Sequence, residues 1–383
     1  SGLSGHRALQ GARLAAPLNM PSSQHHNRFN LLRLGAALAV FVAHGLFLYR
    51  LYAPVPFAGH SLGSLAVYVF FFISGYLVCQ SWMREPQWRV FWIKRAMRIF
   101  PGLLVAVVFS VGVLGWWVTT LPALDYWHAP GTWLNLLNNA VGLATVQTLP
   151  GVFEVNPFAR AVNGSLWTIR YELAMYLVLA TLAWLARGRC WVYPMTAGAL
   201  ALLWQAARVG GWDAAIEAAG GPVAEVFRWR DFCGFGVPFF MGSAMAAYAV
   251  RPQPWMGVVA VLAALGAYWM PSAAGVQVAV WVLVVLGVFY VAHAGRPGRH
   301  QGGGGAQLDL SYGVYIYAFP VQQAVTELCL RQGWSLAVCM LLSLVLVVAL
   351  AALSWYGVER PCIRLAHGYL VARRPLRSVP TGG

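Results

Sequence analysis

Ten runs of mostly apolar residues, each near the ~20 needed to cross the hydrocarbon of a bilayer, follow one another along this chain. They are expected at roughly 31–50, 62–83, 99–120, 165–186, 191–208, 232–250, 254–271, 274–293, 311–330 and 335–358. In lipid every backbone N–H and C=O must be satisfied within the protein, so runs of this length fold as helices. The predicted fold is all-α, a polytopic membrane protein with about ten transmembrane helices. Composition agrees, with 60% hydrophobic and 10% charged residues, against about 25% charged in a soluble domain. A net charge of +15 would suit a nucleic-acid binder. The basic residues lie between the apolar runs, however, as the positive-inside rule places them. The expected surrounding is therefore a lipid bilayer, and no nucleic-acid partner is expected.

With the N-terminus in the cytoplasm, 18 of the 26 Lys and Arg fall on the inner side and six on the outer, while Arg33 and Arg170 lie at or within spans. This asymmetry predicts both termini cytoplasmic. Seven of the 11 acidic residues fall outside, from Asp125 and Glu154 to Asp231 and Glu327. Residues 1–27 are expected to be a disordered leader or an appended remnant, with Met20 a candidate start. Residues 28–365 form the transmembrane domain and 366–383 a basic cytoplasmic tail. The connection 121–164 is expected to hold a re-entrant or interfacial helix between Trp133 and Val146, and Gly302–Gly305 reads as a flexible linker. The six cysteines are scattered, with no CxxC or Cys/His spacing, so neither a metal site nor a disulfide framework is expected.

Arg33 and His44 stand 11 residues apart in the first span. At ~100° and ~1.5 Å per residue they share one helix face, ~16 Å apart. An ionisable side chain inside a span costs roughly 2.5–3.5 kcal/mol, so it normally faces a partner or a wet cavity. Together they suggest a polar passage; the plainer alternatives are a snorkelling Arg33 and a satisfied core imidazole. Arg95 and Arg98, spaced i, i+3 where the third span is expected to begin, would place two guanidiniums at a helix N-terminus. That pattern fits a phosphate, or an ordinary positive-inside flank. Glu172, reached through Asn163-Gly-Ser-Leu-Trp-Thr-Ile-Arg-Tyr, opens the fourth apolar run at about the depth of His44. It could pair with that imidazole, or with Arg170 or Arg160. Ser74 and Gly75 read as close helix packing. Tyr312, Tyr315 and Tyr317 form an aromatic face for a cavity or an interface belt. Glu359-Arg360-Pro361 reads as a charge pair and helix stop ending the last span.

Taken in order, these motifs resemble the acyltransferase 3 family of integral-membrane O-acyltransferases in its stand-alone form. The resemblance rests on six features: Arg33-x10-His44, the Phe-Phe-x-x-Ser-Gly stretch ending at Ser74-Gly75, Arg95-x-x-Arg98, Ser165-Leu-Trp followed by Glu172, Ser311-Tyr-x-x-Tyr315, and Glu359-Arg-Pro361. It implies transfer of an acetyl or other short acyl group from cytoplasmic acetyl-CoA to a sugar hydroxyl of a lipid-linked or surface glycan, at a bacterial inner membrane. It implies His44 and Glu172 as catalytic and Arg33, Arg95 and Arg98 as donor-binding. Asn163, Ser165, Trp167, Arg170 and Tyr315 would face the acceptor. Direct transfer and an acyl-histidine intermediate both fit. The rival from another class is a transporter or flippase of a lipid-linked saccharide, which would also need about ten spans and a polar interior.

Overall fold

The computed structural model describes residues 22–50, 57–212, 214–215, 227–294 and 308–373; the Gly302–Gly305 run and the acidic residues Asp213, Glu217 and Glu225 lie outside them. Helices occupy every predicted segment. In chain order they are α1 (Ser22–Arg50), α2 (Leu62–Arg84), α3 (Trp88–Val118), α4 (Ala123–His128), α5 (Pro130–Val141) and α6 (Leu166–Leu185). There follow α7 (Val192–Gly210), α8 (Trp229–Ala247), α9 (Pro254–Trp269), α10 (Ala273–His293), α11 (Ser311–Gln332) and α12 (Leu336–Ala372). Among the described residues there is no strand, and six helices (α1, α2, α3, α6, α10 and α12) are long and apolar enough to cross a membrane. The chain is an all-α, multi-pass membrane protein.

Two of the helices below that apolarity, α8 and α11, are the most enclosed. α8 packs on α2 and α7, while α11 lies between α1 and α12. A helix wrapped by other helices can carry polar groups that lipid would reject, provided the protein satisfies them. On α11 the Gln322 amide donates to the Phe41 carbonyl (2.8 Å), and that of Gln323 donates to the carbonyls of Phe158 and Ala161. The α2–α8 crossing depends on small residues. A Cβ on Gly75 would lie 1.9 Å from the Phe239 carbonyl oxygen, and one on Gly242 2.4 Å from that of Phe72. Ser243 adds a hydroxyl bond to the Gly75 carbonyl at 3.1 Å. The packing role read for Gly75 holds.

Prolines inside these helices release carbonyls that side chains from elsewhere recover. Pro238 cannot donate to the Gly234 carbonyl, and the Trp281 indole does so at 3.0 Å. Pro320 likewise frees the Ile316 carbonyl, which the Asn163 amide takes at 3.0 Å. The second bond ties the segment before α6 to α11.

Three expectations are corrected. The third helix begins at Trp88, not 99, because the amphipathic stretch Trp88–Ile99 is helical although only its far half is apolar. Arg95 and Arg98 therefore sit inside the helix, and the helix-terminus argument for an anion there does not apply. The last helix does not stop at Pro361. A π-helical segment, Trp355–Glu359, precedes it, and the proline falls in the first turn of the α-helical continuation, where its missing N–H matters least. Helix thus continues to Ala372, into the expected tail. In the outer connection the helix runs Pro130–Val141, with Asn135 and Asn139 buried and Trp133, Leu134 and Leu137 exposed. That inverted amphipathicity suits an interfacial helix.

Cys329 and Cys339 form a disulfide with Cα atoms 6.2 Å apart, a pairing that the scattered cysteines, read as no disulfide framework, did not lead one to expect. The pairing depends on the turn at Gly333 folding α12 back on α11, so no short cysteine motif announces it. Closing a loop of about ten residues stabilises by roughly 2–3 kcal/mol in the chain-entropy description. Reductant, or the Cys329→Ser/Cys339→Ser double variant, is expected to lower the thermal midpoint in detergent. An unchanged midpoint in both would show that the bond contributes nothing.

Candidate active site

A cavity opens between α1, α2, α6 and α11. Its polar wall comes from Arg33, Ser74, Thr168, Glu172, Ser311 and Tyr315, facing the aromatic rings of Phe70 and Phe71. Helical periodicity explains the pattern: Ser311, Tyr312 and Tyr315 lie along one face of α11, and Thr168, Ile169 and Glu172 along one face of α6. Across it the Thr168 and Tyr315 hydroxyls share a hydrogen bond of 2.7 Å.

At the Arg33 end an ion-pair network borders the cavity. One oxygen of Asp309, Oδ2, accepts from Arg33 Nη1 (2.9 Å) and from Arg98 Nη2 (2.6 Å). The other, Oδ1, accepts from the Ser311 backbone N–H (3.2 Å) and from its hydroxyl, capping the start of α11. Arg98 also reaches Glu359 Oε2 at 3.3 Å, while Ser354 donates to the other Glu359 oxygen at 2.9 Å. Burial alone would push the Asp309 carboxyl up, yet the guanidiniums of Arg33 and Arg98, helped by Ser311, hold it down at about 2. Its contribution to stability is present above the ordinary carboxylate range and is lost only as pH falls through about 2. The Asp309 carboxylate is therefore charged at any working pH.

Of the three guanidiniums at this end, Arg33 and Arg98 are paired with Asp309 and Glu359, which leaves the third positive charge without an ion pair. That charge is Arg95. Among the described residues it makes no ion pair, its Nε is buried without a hydrogen-bond partner, and its guanidinium lies 5.9 Å from the Tyr176 ring centre. Tyr176 in turn donates to Glu172, and Ser74 donates to the same oxygen at 3.0 Å.

His44 stands on α1 beyond the cavity. The Arg33–Asp309 and His44–Phe319 contacts place α1 and α11 side by side and parallel, with the two contacts ~16 Å apart along α1. The His44 ring meets the Phe319 ring edge to face at 5.2 Å, its Nδ1 is buried with no partner, and it is not among the residues lining the cavity. Nearby, the Ser165 hydroxyl is also buried and unpartnered.

The acyltransferase domain of the acyltransferase 3 family matches residues 26–355 of this chain. The chain belongs to that family. It is 29% identical over 337 residues to a protein named O-acetyl transferase from Shigella phage Sf6, covering 87% of this chain and 95% of that one. It is 30% identical over 391 aligned positions to one named Nodulation protein 10 from Rhizobium leguminosarum bv. viciae, covering 94% and 98% respectively. No solved structure matches.

Within this acyltransferase the residues singled out from sequence divide into groups. Arg33, Glu172 and Tyr315 share the cavity, and Arg95 and Arg98 lie beyond its lining at the Arg33 end. Asn163 and Ser165 sit against α11, where the Ser165 N–H also donates to Asn163 Oδ1 at 3.0 Å. Trp167 and Arg170 turn away: the Trp167 ring packs on Tyr171 and Phe235, and the Arg170 guanidinium lies 5.5 Å from the Tyr171 ring centre. Neither carboxylate has the partner expected. Glu172 is bonded to Ser74 and Tyr176, with no hydrogen bond to His44 and no ion pair to Arg160 or Arg170 among the described residues. Glu359 pairs with Arg98 rather than its neighbour Arg360. Ser74, read only as packing, is a cavity donor.

Asp309 was missed. A signal was present: with seven of the 11 acidic residues assigned outside, only Glu85, Glu172, Asp309 and Glu359 remain to meet the other arginines. Each of the four is engaged by a named partner, Glu85 by Lys94 at 2.5 Å.

Proposed function

We propose that this acyltransferase is an O-acyltransferase of a bacterial inner membrane that moves an acetyl or other short acyl group from cytoplasmic acyl-CoA to a sugar hydroxyl of a lipid-linked or surface glycan. The observation that carries the reading is the polar cavity, which lies beside an arginine cluster and reaches Tyr315 on α11, one turn before the Phe319 ring that touches the unbonded His44 imidazole. The name of the Shigella phage relative supports O-acetyl transfer. The Cys329–Cys339 disulfide lies at the ends of α11 and α12 away from Arg98. Disulfides persist in oxidising compartments, which supports the arginine end facing the cytoplasm.

Donor phosphates carry negative charge, and the arginine end of the cavity fits them through the guanidinium of Arg95, which makes no ion pair among the described residues and whose Nε lacks a partner. Arg33 and Arg98 reach the same anion only by sharing it with Asp309. Ser74, Glu172 and Tyr315 line the cavity with donors and acceptors suited to an amide-bearing arm. The thioester supplies an activated acyl carbon. His44 takes the proton of the acceptor hydroxyl as its oxygen attacks that carbon, and returns it to the departing sulfur as the C–S bond breaks. Asn163 and Ser165, beside Phe319, face the acceptor.

Purified protein incubated with acetyl-labelled acetyl-CoA and a lipid-linked saccharide is expected to move label to the saccharide, with intersecting double-reciprocal plots. Parallel plots with label held on His44 make the imidazole the acyl carrier instead. Saccharide crossing vesicles with no label transferred overturns the enzyme reading in favour of a flippase.

A further inference from the structure

We propose that Phe319 is the back wall of the acyl site and sets the length of the acyl chain that can be transferred; the proposal rests on the acyl-transfer reading above. On α11 the last residue lining the cavity is Tyr315, and Phe319, at i+4, is the next side chain on the same face. An acyl group is the leading end of a donor that advances from Arg33 toward His44. It reaches the Phe319 ring as it reaches the imidazole, because the two rings are already in edge-to-face contact at 5.2 Å.

The ring has nowhere to retreat. It is 4% exposed, and the Phe158 ring lies 6.4 Å away centre to centre. The backbone at Gly164 comes so close that a Cβ there would sit 2.6 Å from the ring edge. Gly164 is itself fixed between Asn163, bonded to the carbonyl that Pro320 frees one residue after Phe319, and the N–H of Ser165, bonded to Asn163. The buried unpartnered atoms beside the ring, His44 Nδ1 and Ser165 Oγ, are the polar groups of a reaction centre, whereas Phe319 is its apolar boundary. A methyl group needs little space against such a wall. Each further methylene must displace part of the ring, and a misfit of one methylene in an apolar pocket changes discrimination roughly 10- to 200-fold.

The test compares initial rates of the purified full chain with acetyl-, butanoyl- and hexanoyl-CoA on one saccharide acceptor. Phe319→Ala is expected to raise the hexanoyl-to-acetyl ratio of kcat/KM by roughly 10- to 200-fold, and Phe319→Leu to raise it less. Gly164→Ala, whose Cβ would meet the ring edge at 2.6 Å and must displace it, is expected to change the butanoyl-to-acetyl ratio as well. A chain-length profile unchanged in all three variants, while acetyl transfer persists, overturns this proposal and leaves the acyl-transfer reading intact. Loss of every transfer in folded Phe319→Leu also overturns it, because a boundary wall is not needed for the chemistry. Absence of acetyl transfer by the wild type overturns the underlying reading instead.

Discussion

Replacing Asp309 by alanine is expected to destabilise the protein by about 3–5 kcal/mol, the cost of stranding a buried charge when its partner is removed. Arg33 loses its ion-pair partner altogether, and Arg98 keeps only the longer contact to Glu359. The α11 start loses its cap as well, because Asp309 Oδ1 accepts from Ser311. Asp309→Asn restores that cap, about 1 kcal/mol, without restoring the charge. The expected order of thermal midpoints in detergent is wild type, then Asn, then Ala, with Ala lower by roughly 5–10 °C. Adding Arg33→Gln to Asp309→Ala should recover part of the loss, since the stranded charge is then gone. Equal midpoints for all forms would show the network to be solvated and energetically idle. Scanning pH separates the two cases again: above pH 4 the Asp309 contribution is constant, because its carboxyl titrates only near 2.

The fold was legible because membrane helices must satisfy their own backbones, so apolar length alone located nearly all of them. Boundaries failed where chemistry was mixed. Trp88–Ile99 is helical yet too charged to look like a span, and Pro361 looks like a stop until a π-segment is placed before it. The signature arginines were found, but their partner was not. Arg33, Arg98 and Asp309 are separated by 65 and 211 residues, and only the packing of α1, α3 and the start of α11 brings them to one oxygen atom. Pairing of carboxylates was misread for the same reason: Arg360 is adjacent to Glu359 in sequence but points along its own helix face, over Tyr356. Local spacing identifies which face a side chain occupies. It does not say what that face meets.

His44→Ala is expected to lower kcat/KM for acyl transfer by about 10²- to 10⁴-fold, the usual contribution of a positioned proton acceptor. The same change should leave the fold intact. His44 makes no hydrogen bond among the described residues and its Nδ1 is buried unsatisfied, so removing the ring removes an orphaned polar atom along with one edge-to-face contact to Phe319. Donor affinity should also hold, because the cavity and its arginine end are built without His44. Glu172→Gln provides the contrast. It alters the hydrogen bonds from Ser74 and Tyr176 within the cavity itself, so it is expected to raise the donor KM more than it lowers kcat. Binding of CoA measured by calorimetry and transfer measured by label separate these outcomes. If His44→Ala weakens CoA binding as much as it slows transfer, the imidazole belongs to the donor site and not to the proton step. If it retains wild-type transfer, the unbonded ring is a packing element against Phe319. The direction of the split follows from where the cavity ends: one helical turn short of the imidazole, where only the acyl group and the acceptor hydroxyl have reason to meet it.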